Sequence, residues 1–332
     1  MEEEYLEEEG NETLHEQEGF SVQFDVFPII LAVLIVLANG TALFLVARRK
    51  NLRSATNGVL ASLAVSDFLA GFLGIPFYLV CNAAYDRSWC LCSVVFWRFV
   101  SVSTVLHLTI LTLHLYATVV HVARCKVLLR RNVSAGLVCA VWFCAAFVSL
   151  VQLSWITVEN EESEEERQRV HLAYAITVLA VFLGVPLVTI IFCHVRIFAN
   201  IRLSKREQTV GKLENRVDSV EDQTLEKHSE NWKLGLVLLG MLAAFLICWV
   251  PYFVLELVTD TEGMGAFPDW AEYVLFYYTR FTASAINPVL FVIGKRDFRR
   301  AFCGCLGWNQ TQSEDNVVLG SVQFSTLENE RV

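Results

Sequence analysis

Thirty residues from Cys90 to Val119, CLCSVVFWRFVSVSTVLHLTILTLHLYATV, run without a glycine or a proline. A stretch this long and apolar crosses a bilayer as a helix with some tilt. It also carries Trp97, Arg98, His107 and His114. A guanidinium near the centre of a membrane helix costs about 2.5–3.5 kcal/mol on insertion scales, so Arg98 is expected to face protein, water or a partner charge. The segment is therefore expected in the interior of a bundle.

Seven such segments can be read, at about residues 25–47, 57–82, 90–119, 134–157, 171–198, 232–259 and 269–293. With 55% hydrophobic and 18% charged residues and a mean hydropathy of +0.46, the 332-residue chain reads as an all-α membrane protein, a seven-transmembrane-helix bundle. The net charge of -9 comes largely from Glu2 to Glu18 in the first tail and Glu159 to Glu166 in one connection, so it gives no reason to expect a nucleic-acid partner. Met1 is followed by acids and not by a basic, then apolar leader, so the first span is expected to direct insertion.

Basic residues sort the two sides. Arg48, Arg49, Lys50 and Arg53, then Arg124, Lys126, Arg130 and Arg131, then Arg202, Lys205 and Arg206, and finally Lys295, Arg296, Arg299 and Arg300 cluster between or after spans. By the positive-inside rule these regions are cytoplasmic, which puts the acidic tail 1–24 outside and the tail 305–332 inside. Of four glycosylation sequons, at Asn11, Asn39, Asn132 and Asn309, only Asn11 then lies outside the membrane on the outer side. Residues 202–231 are polar without an apolar period and read as a mobile loop. GKRDFRRAFCGCLG places Phe298 and Phe302 on one face against Arg296, Arg299 and Arg300, a short amphipathic helix on the inner leaflet. Cys303 and Cys305 beside it are candidates for palmitoylation or are free thiols.

No CxxC pair is present, and no acid/base constellation falls at usable spacing, so neither an enzyme nor a cofactor is expected. His107, His114 and His121 share a stripe but stand about 10 Å apart, too far for one metal ion. No internal repeat supports a transporter of duplicated halves.

One residue or motif per span, in order, completes the pattern: Asn39; Leu63-Ala64-Val65-Ser66-Asp67; Trp142; Pro186; Phe245 with Cys248-Trp249-Val250-Pro251; and Asn287-Pro288. In these the chain resembles the rhodopsin-like G-protein-coupled receptors, over roughly residues 25–304. The resemblance implies an outward-facing ligand pocket and a face that engages a heterotrimeric G protein, with arrestin as a further partner, at the plasma membrane. It implies hinges at Pro251 and Pro288, Trp249 and Phe245 packing beneath the ligand, and a buried polar core of Asn39, Asp67, Thr104, Ser284 and Asn287. In the family the Asp67 position holds a sodium ion, here with help from Thr104, Ser284, Asn287 and Trp249.

The activation switch departs from the family at one end. His114-Leu115-Tyr116 stands where the acidic-Arg-Tyr motif is expected, His194 replaces a Tyr eight residues after Pro186, and Phe291 replaces the Tyr of the Asn-Pro motif. Leu115 can make none of the charge-assisted bonds of the family's Arg. A receptor-shaped protein that signals constitutively or not at all, as a decoy or heteromer partner, is therefore the alternative to a ligand-driven receptor. The family's Cys90 pairs with a cysteine in the second outer loop, but residues 155–172 contain none; the loop is then untethered, or Cys90 joins Cys81 or Cys92.

The amine members carry an Asp in the outer half of the third span, where this chain has Trp97 and Arg98. A simple amine ligand is disfavoured, although the second span and Asn287 to Phe302 look like the amine and adenosine branches. An opsin is excluded, because the nearest Lys is Lys295, past the seventh span. The expected ligand pocket comprises Trp97, Arg98, Ser101, Trp249, Glu256, Tyr277 and Arg280. Tyr277, Arg280, Ser284, Asn287 and Phe291 share one helical face, so Arg280 points into the bundle. Three partners are open to it: Asp67 at an expected similar depth, Glu256 or backbone carbonyls, and, together with Arg98, a ligand's carboxylate or phosphate. An Arg280–Asp67 pair would repel sodium and abolish its effect on signalling.

Overall fold

The computed structural model describes residues 22–84, 86–120, 127–156, 164–213, 220–262, 274 and 278–305, side chains at 22–24, 164–165, 204–230, 255–256, 258–262 and 291 excepted. These form α1 (Val22–Arg48), α2 (Ala55–Ala84), α3 (Arg87–Val119), α4 (Arg131–Val151, followed by a single turn, Leu153–Ile156), α5 (Glu164–Leu213), α6 (Val220–Glu262), α7 (Thr279–Gly294) and α8 (Arg296–Cys305). Six of the described helices are long and apolar enough to cross a membrane. The whole is a seven-helix bundle with a short helix after the last span.

Two helices start on side-chain caps. Asp86 accepts from Ser88 N at 2.8 Å and Trp89 N at 3.3 Å to open α3, and Ser54 accepts from Asn57 N at 3.2 Å to open α2. α3 is the axis: it packs on α2, α4, α5 and α6, and 67% of its apolar window is buried against 28% in α1, α4 and α5. The other helices leave apolar faces for lipid, such as Phe143 and Phe147 on α4. The expected interior position of this segment follows from its ring of non-lipid contacts.

Prolines shape three spans. Pro76 and Pro186 each end a Leu-Gly-x-Pro run, and each follows a π-helical stretch, Ala70–Gly74 and Leu179–Gly184. The wider turn takes up the hydrogen bond that proline cannot donate. At Pro288 the missing donor frees the carbonyl of Ser284, and Asn39 Nδ2 on α1 donates to that oxygen at 3.1 Å. Asn39 thus supplies the donor that Pro288 lacks.

Within 202–231, where polarity suggests a loop, the described residues 202–213 and 220–231 are helical, and residues 214–219 lie outside the described residues. α5 continues to Leu213 and α6 begins at Val220. Lys, Glu, Gln, Arg and Leu favour helix without any apolar face, so polarity ends the span and not the helix. In α8, Phe298 and Ala301 are buried while Arg299 and Arg300 are exposed, as the amphipathic pattern requires.

The two ends of the bundle differ. At one, Cys81 and Cys90 are disulfide-bonded, so Cys90 takes the local partner and Cys92 is a free thiol. At the other, the basic end, α8 returns against α1 and Lys295 donates a hydrogen bond to Asn57 Oδ1. Here Gly294 lets α7 meet α6: a Cβ at Gly294 would stand 1.8 Å from Val237 Cγ2.

Candidate functional site

Towards the disulfide end, α2, α3, α6 and α7 converge on Trp97. Its ring lies 4.6 Å from Phe281 and 6.3 Å from Trp249, Trp249 stacks on Phe245 at 5.9 Å, and Tyr78 meets Phe281 edge-on at 5.3 Å. Trp97 Nε1 donates to Gly74 O at 3.2 Å, which fixes the indole although it is fully buried. Both arginines of the expected pocket belong to this cluster. The Arg280 guanidinium lies over Trp97 at 5.0 Å, Tyr252 at 5.1 Å and Phe281 at 5.2 Å. That of Arg98 lies over Tyr174 at 5.6 Å and Phe253 at 5.7 Å. Each such contact is worth about 0.5–2 kcal/mol, the more the drier the site.

Ser101, also buried, turns its hydroxyl back onto Arg98 O at 2.8 Å. Tyr277 and Asn11 lie outside the described residues, as do the side chains of Glu256 and Phe291. Tyr174, Tyr252, Phe253 and Phe281 were not anticipated. Tyr252 and Phe253 stand three and four residues past Trp249, on its stripe, and Phe281 follows Arg280, so helical spacing held the signal.

The expected Arg280–Asp67 pair does not form. Asp67 Oδ2 accepts instead from Asn287 Nδ2 at 2.8 Å, and both residues are buried. Arg280 precedes Asn287 by seven residues, about 10.5 Å along α7, and that offset carries it up into the aromatic cluster. The inferred loss of sodium binding falls with the pair. Among the described residues Asp67 Oδ1 has no hydrogen-bond partner, Ser284 stands beside the carboxylate, and Thr104 is also buried. A carboxylate oxygen with an open lone pair beside a hydroxyl offers hard-oxygen donors of the kind that suit a small cation.

A second polar chain crosses the middle of the bundle. Trp142 Nε1 donates to Ser62 Oγ at 2.9 Å, and Ser62 Oγ lies 2.8 Å from His107 Nε2, whose Nδ1 is 2.7 Å from Ser103 O. A carbonyl only accepts, so Nδ1 carries the proton and Nε2 accepts from Ser62. His107 is thus a satisfied neutral imidazole joining α2, α3 and α4. No group of three metal-ligating side chains occurs among the described residues.

The departures on α3 and α5, His114, Leu115 and His194, are all buried. His114 Nε2 lies 3.4 Å from Ser134 Oγ and its Nδ1 3.5 Å from Thr56 Oγ1, so it bridges α4 and α2. Leu115 is 2% exposed and points to α6, where a Cβ on Gly235 would lie 3.6 Å from it. Tyr116 is half-buried. His194 is buried, donates through Nδ1 to Ile190 O at 2.9 Å, and continues into a ring run through Phe198 at 5.9 Å to Trp232. Pro186 is buried behind the π-helical stretch of α5, and Pro251 lies inside α6 two residues after Trp249. Cys303 is half-buried and Cys305 exposed.

Residues 38–291 match the sequence profile of the family described as 7 transmembrane receptor (rhodopsin family). The chain is similar to the histamine H2 receptor of Cavia porcellus, 27% identical over 296 residues, covering 85% of this chain and 79% of that one. It is also similar to the octopamine receptor beta-2R of Chilo suppressalis, 22% identical over 306 residues, with 82% and 77% covered. With the D(5)-like dopamine receptor of Takifugu rubripes it shares 26% identity over 325 residues, with 89% and 69% covered.

Proposed function

The chain belongs to the rhodopsin family of seven-transmembrane receptors, and from that premise we propose a plasma-membrane receptor that passes an extracellular signal to heterotrimeric G proteins, with arrestin as a further partner. Its acidic N-terminus lies outside and its tail, with Cys303 and Cys305, inside. Asn11 carries the glycan and the two cysteines the palmitate of this reading.

The ligand of this receptor carries an acidic group. The observation that supports it is the placing of Arg98 and Arg280 against the rings around Trp97, in a bundle whose α3 contains no Asp or Glu. The relatives' names specify histamine, octopamine and dopamine; an ammonium entering here would meet guanidinium groups where a carboxylate would stabilise it. A carboxylate or phosphate ligand accepts charge-assisted hydrogen bonds from both arginines while its apolar part packs on the rings.

The test is a panel of G-protein and arrestin biosensors at counted surface expression, challenged with matched sets of small acids and small amines. Responses should concentrate among the acids, and Arg98→Gln or Arg280→Gln should lower potency by about tenfold or more. Amine responses that survive both substitutions would overturn the acidic-ligand reading. The buried Leu115 favours a second reading, a receptor-shaped partner or decoy, which the same panel without ligand separates.

A further inference from the structure

At the basic end, α1, α2 and α4 leave a groove of about 370 Å³ that no part of the ligand or switch machinery fills. Its chemistry changes along its length. Arg53 and Arg131 stand at the mouth, Ser54 and Ala135 come next, and Val59 and Val138 line the inner end. From Arg131 to Cys139 the wall descends eight residues, about 12 Å into the bundle. Charge, small side chains and then aliphatic wall are the profile of one amphiphile lying along the helices.

Three observations favour an occupant with a phosphate head. Arg53 is pinned over the mouth by a 2.6 Å bond from its guanidinium to Ala47 O, which uses one of five donors. Arg131 is exposed and makes no hydrogen bond or ion pair among the described residues. The segments that build the groove, residues 26–66 and 87–158, contain no Asp or Glu, so an anion there meets positive charge alone. Gly58 completes the wall: it is exposed, and a Cβ added to it would find no atom within 4 Å. Mid-helix glycine costs about 1 kcal/mol against alanine, and here no close packing explains it. We propose that this groove binds an anionic phospholipid, its phosphate held between Arg53 and Arg131 and one acyl chain along Val59 and Val138.

The full chain, purified in detergent and stripped of lipid, is titrated by native mass spectrometry with phosphatidylglycerol, with phosphatidylcholine of the same acyl chains, and with inorganic phosphate. Phosphatidylglycerol should bind several-fold more tightly than phosphatidylcholine, and Arg53→Gln or Arg131→Gln should each weaken it about fivefold. Gly58→Leu, which enters open space, should remove the preference with the melting temperature kept. Arg300→Gln on α8, equally basic but outside the groove, should leave binding within twofold. If Arg53→Gln lowers the melting temperature by exposing Ala47 O, Arg131→Gln alone decides. Equal affinity for the two lipids, an equal loss in Arg300→Gln, competition by inorganic phosphate at lipid-like concentration, or unchanged binding in Gly58→Leu each overturns the proposal.

Discussion

Asn287 on α7 holds Asp67 on α2 through a 2.8 Å hydrogen bond to Oδ2, and leaves Oδ1 turned into the polar core. An arginine at that site would have excluded a cation; an amide does not. Sodium should therefore raise the melting temperature of the purified protein relative to N-methylglucamine at equal ionic strength. Asp67→Asn should abolish the difference. An equal melting temperature in both salts for the unsubstituted chain would refute the fit. Asn287→Ala, which strips the amide donor, should cost about 1–3 kcal/mol.

The basic end can be tested by restoring the motif. Leu115→Arg with His114→Asp should raise G-protein activation at equal surface expression, because the guanidinium gains a neighbouring carboxylate and a G-protein partner that leucine lacks. Aspartate can accept from Thr56 and Ser134, which flank His114 now. No change with any G-protein class would count against this account of Leu115.

Gly294→Ala puts a methyl 1.8 Å from Val237 Cγ2, so α6 and α7 must separate at the basic end. Overpacking of this kind costs about 1–3 kcal/mol. Val237→Ala in the same chain should recover most of that loss. Additive losses in a thermal-melt cycle would show that the contact is not where the strain lies.

The Cys81–Cys90 bridge closes a short ring. Its reduction should lower stability by about 2–3 kcal/mol on the loop-entropy relation. Cys90→Ser alone should match Cys81→Ser with Cys90→Ser, since one cysteine leaves nothing to bridge. Peptide mapping should recover both residues on one oxidised fragment.

Lys295 supplies a pH signature. Burial pushes its ammonium from the usual 10.5 down to about 8, with Asp297 opposing. Between those values the unfolded chain keeps the proton that the folded chain has released, so stability should rise with pH through that window. Lys295→Met should flatten this rise in melts taken from pH 7.5 to 10.5. An unchanged slope would assign the dependence to other groups.

What could be read in the sequence was face, not height. The stripe through Arg280, Ser284 and Asn287 correctly turned all three into the bundle, yet it could not say which of them reached Asp67; two turns of helix separate the candidates. The amphipathic α8 was legible because four residues suffice to define its apolar face. The His107 chain was not, because Ser62, Ser103 and Trp142 come from three helices and no single period joins them. The run after residue 202 misled because polarity marks the end of the bilayer, whereas helix continues while propensity allows.

Four links join α2 to α3 at successive heights: the Cys81–Cys90 bond, Trp97 Nε1 on Gly74 O, Ser62 on His107, and Thr56 beside His114. Two rods fastened at four levels can neither slide nor twist against each other. They form the stator of the machine. α6 meets this frame through rings, Trp249 against Trp97, and rings can roll where covalent and hydrogen bonds must break. Asn287 on Asp67 ties α7 to the same post, so any ligand-driven displacement is steered into rotation of α6 about it.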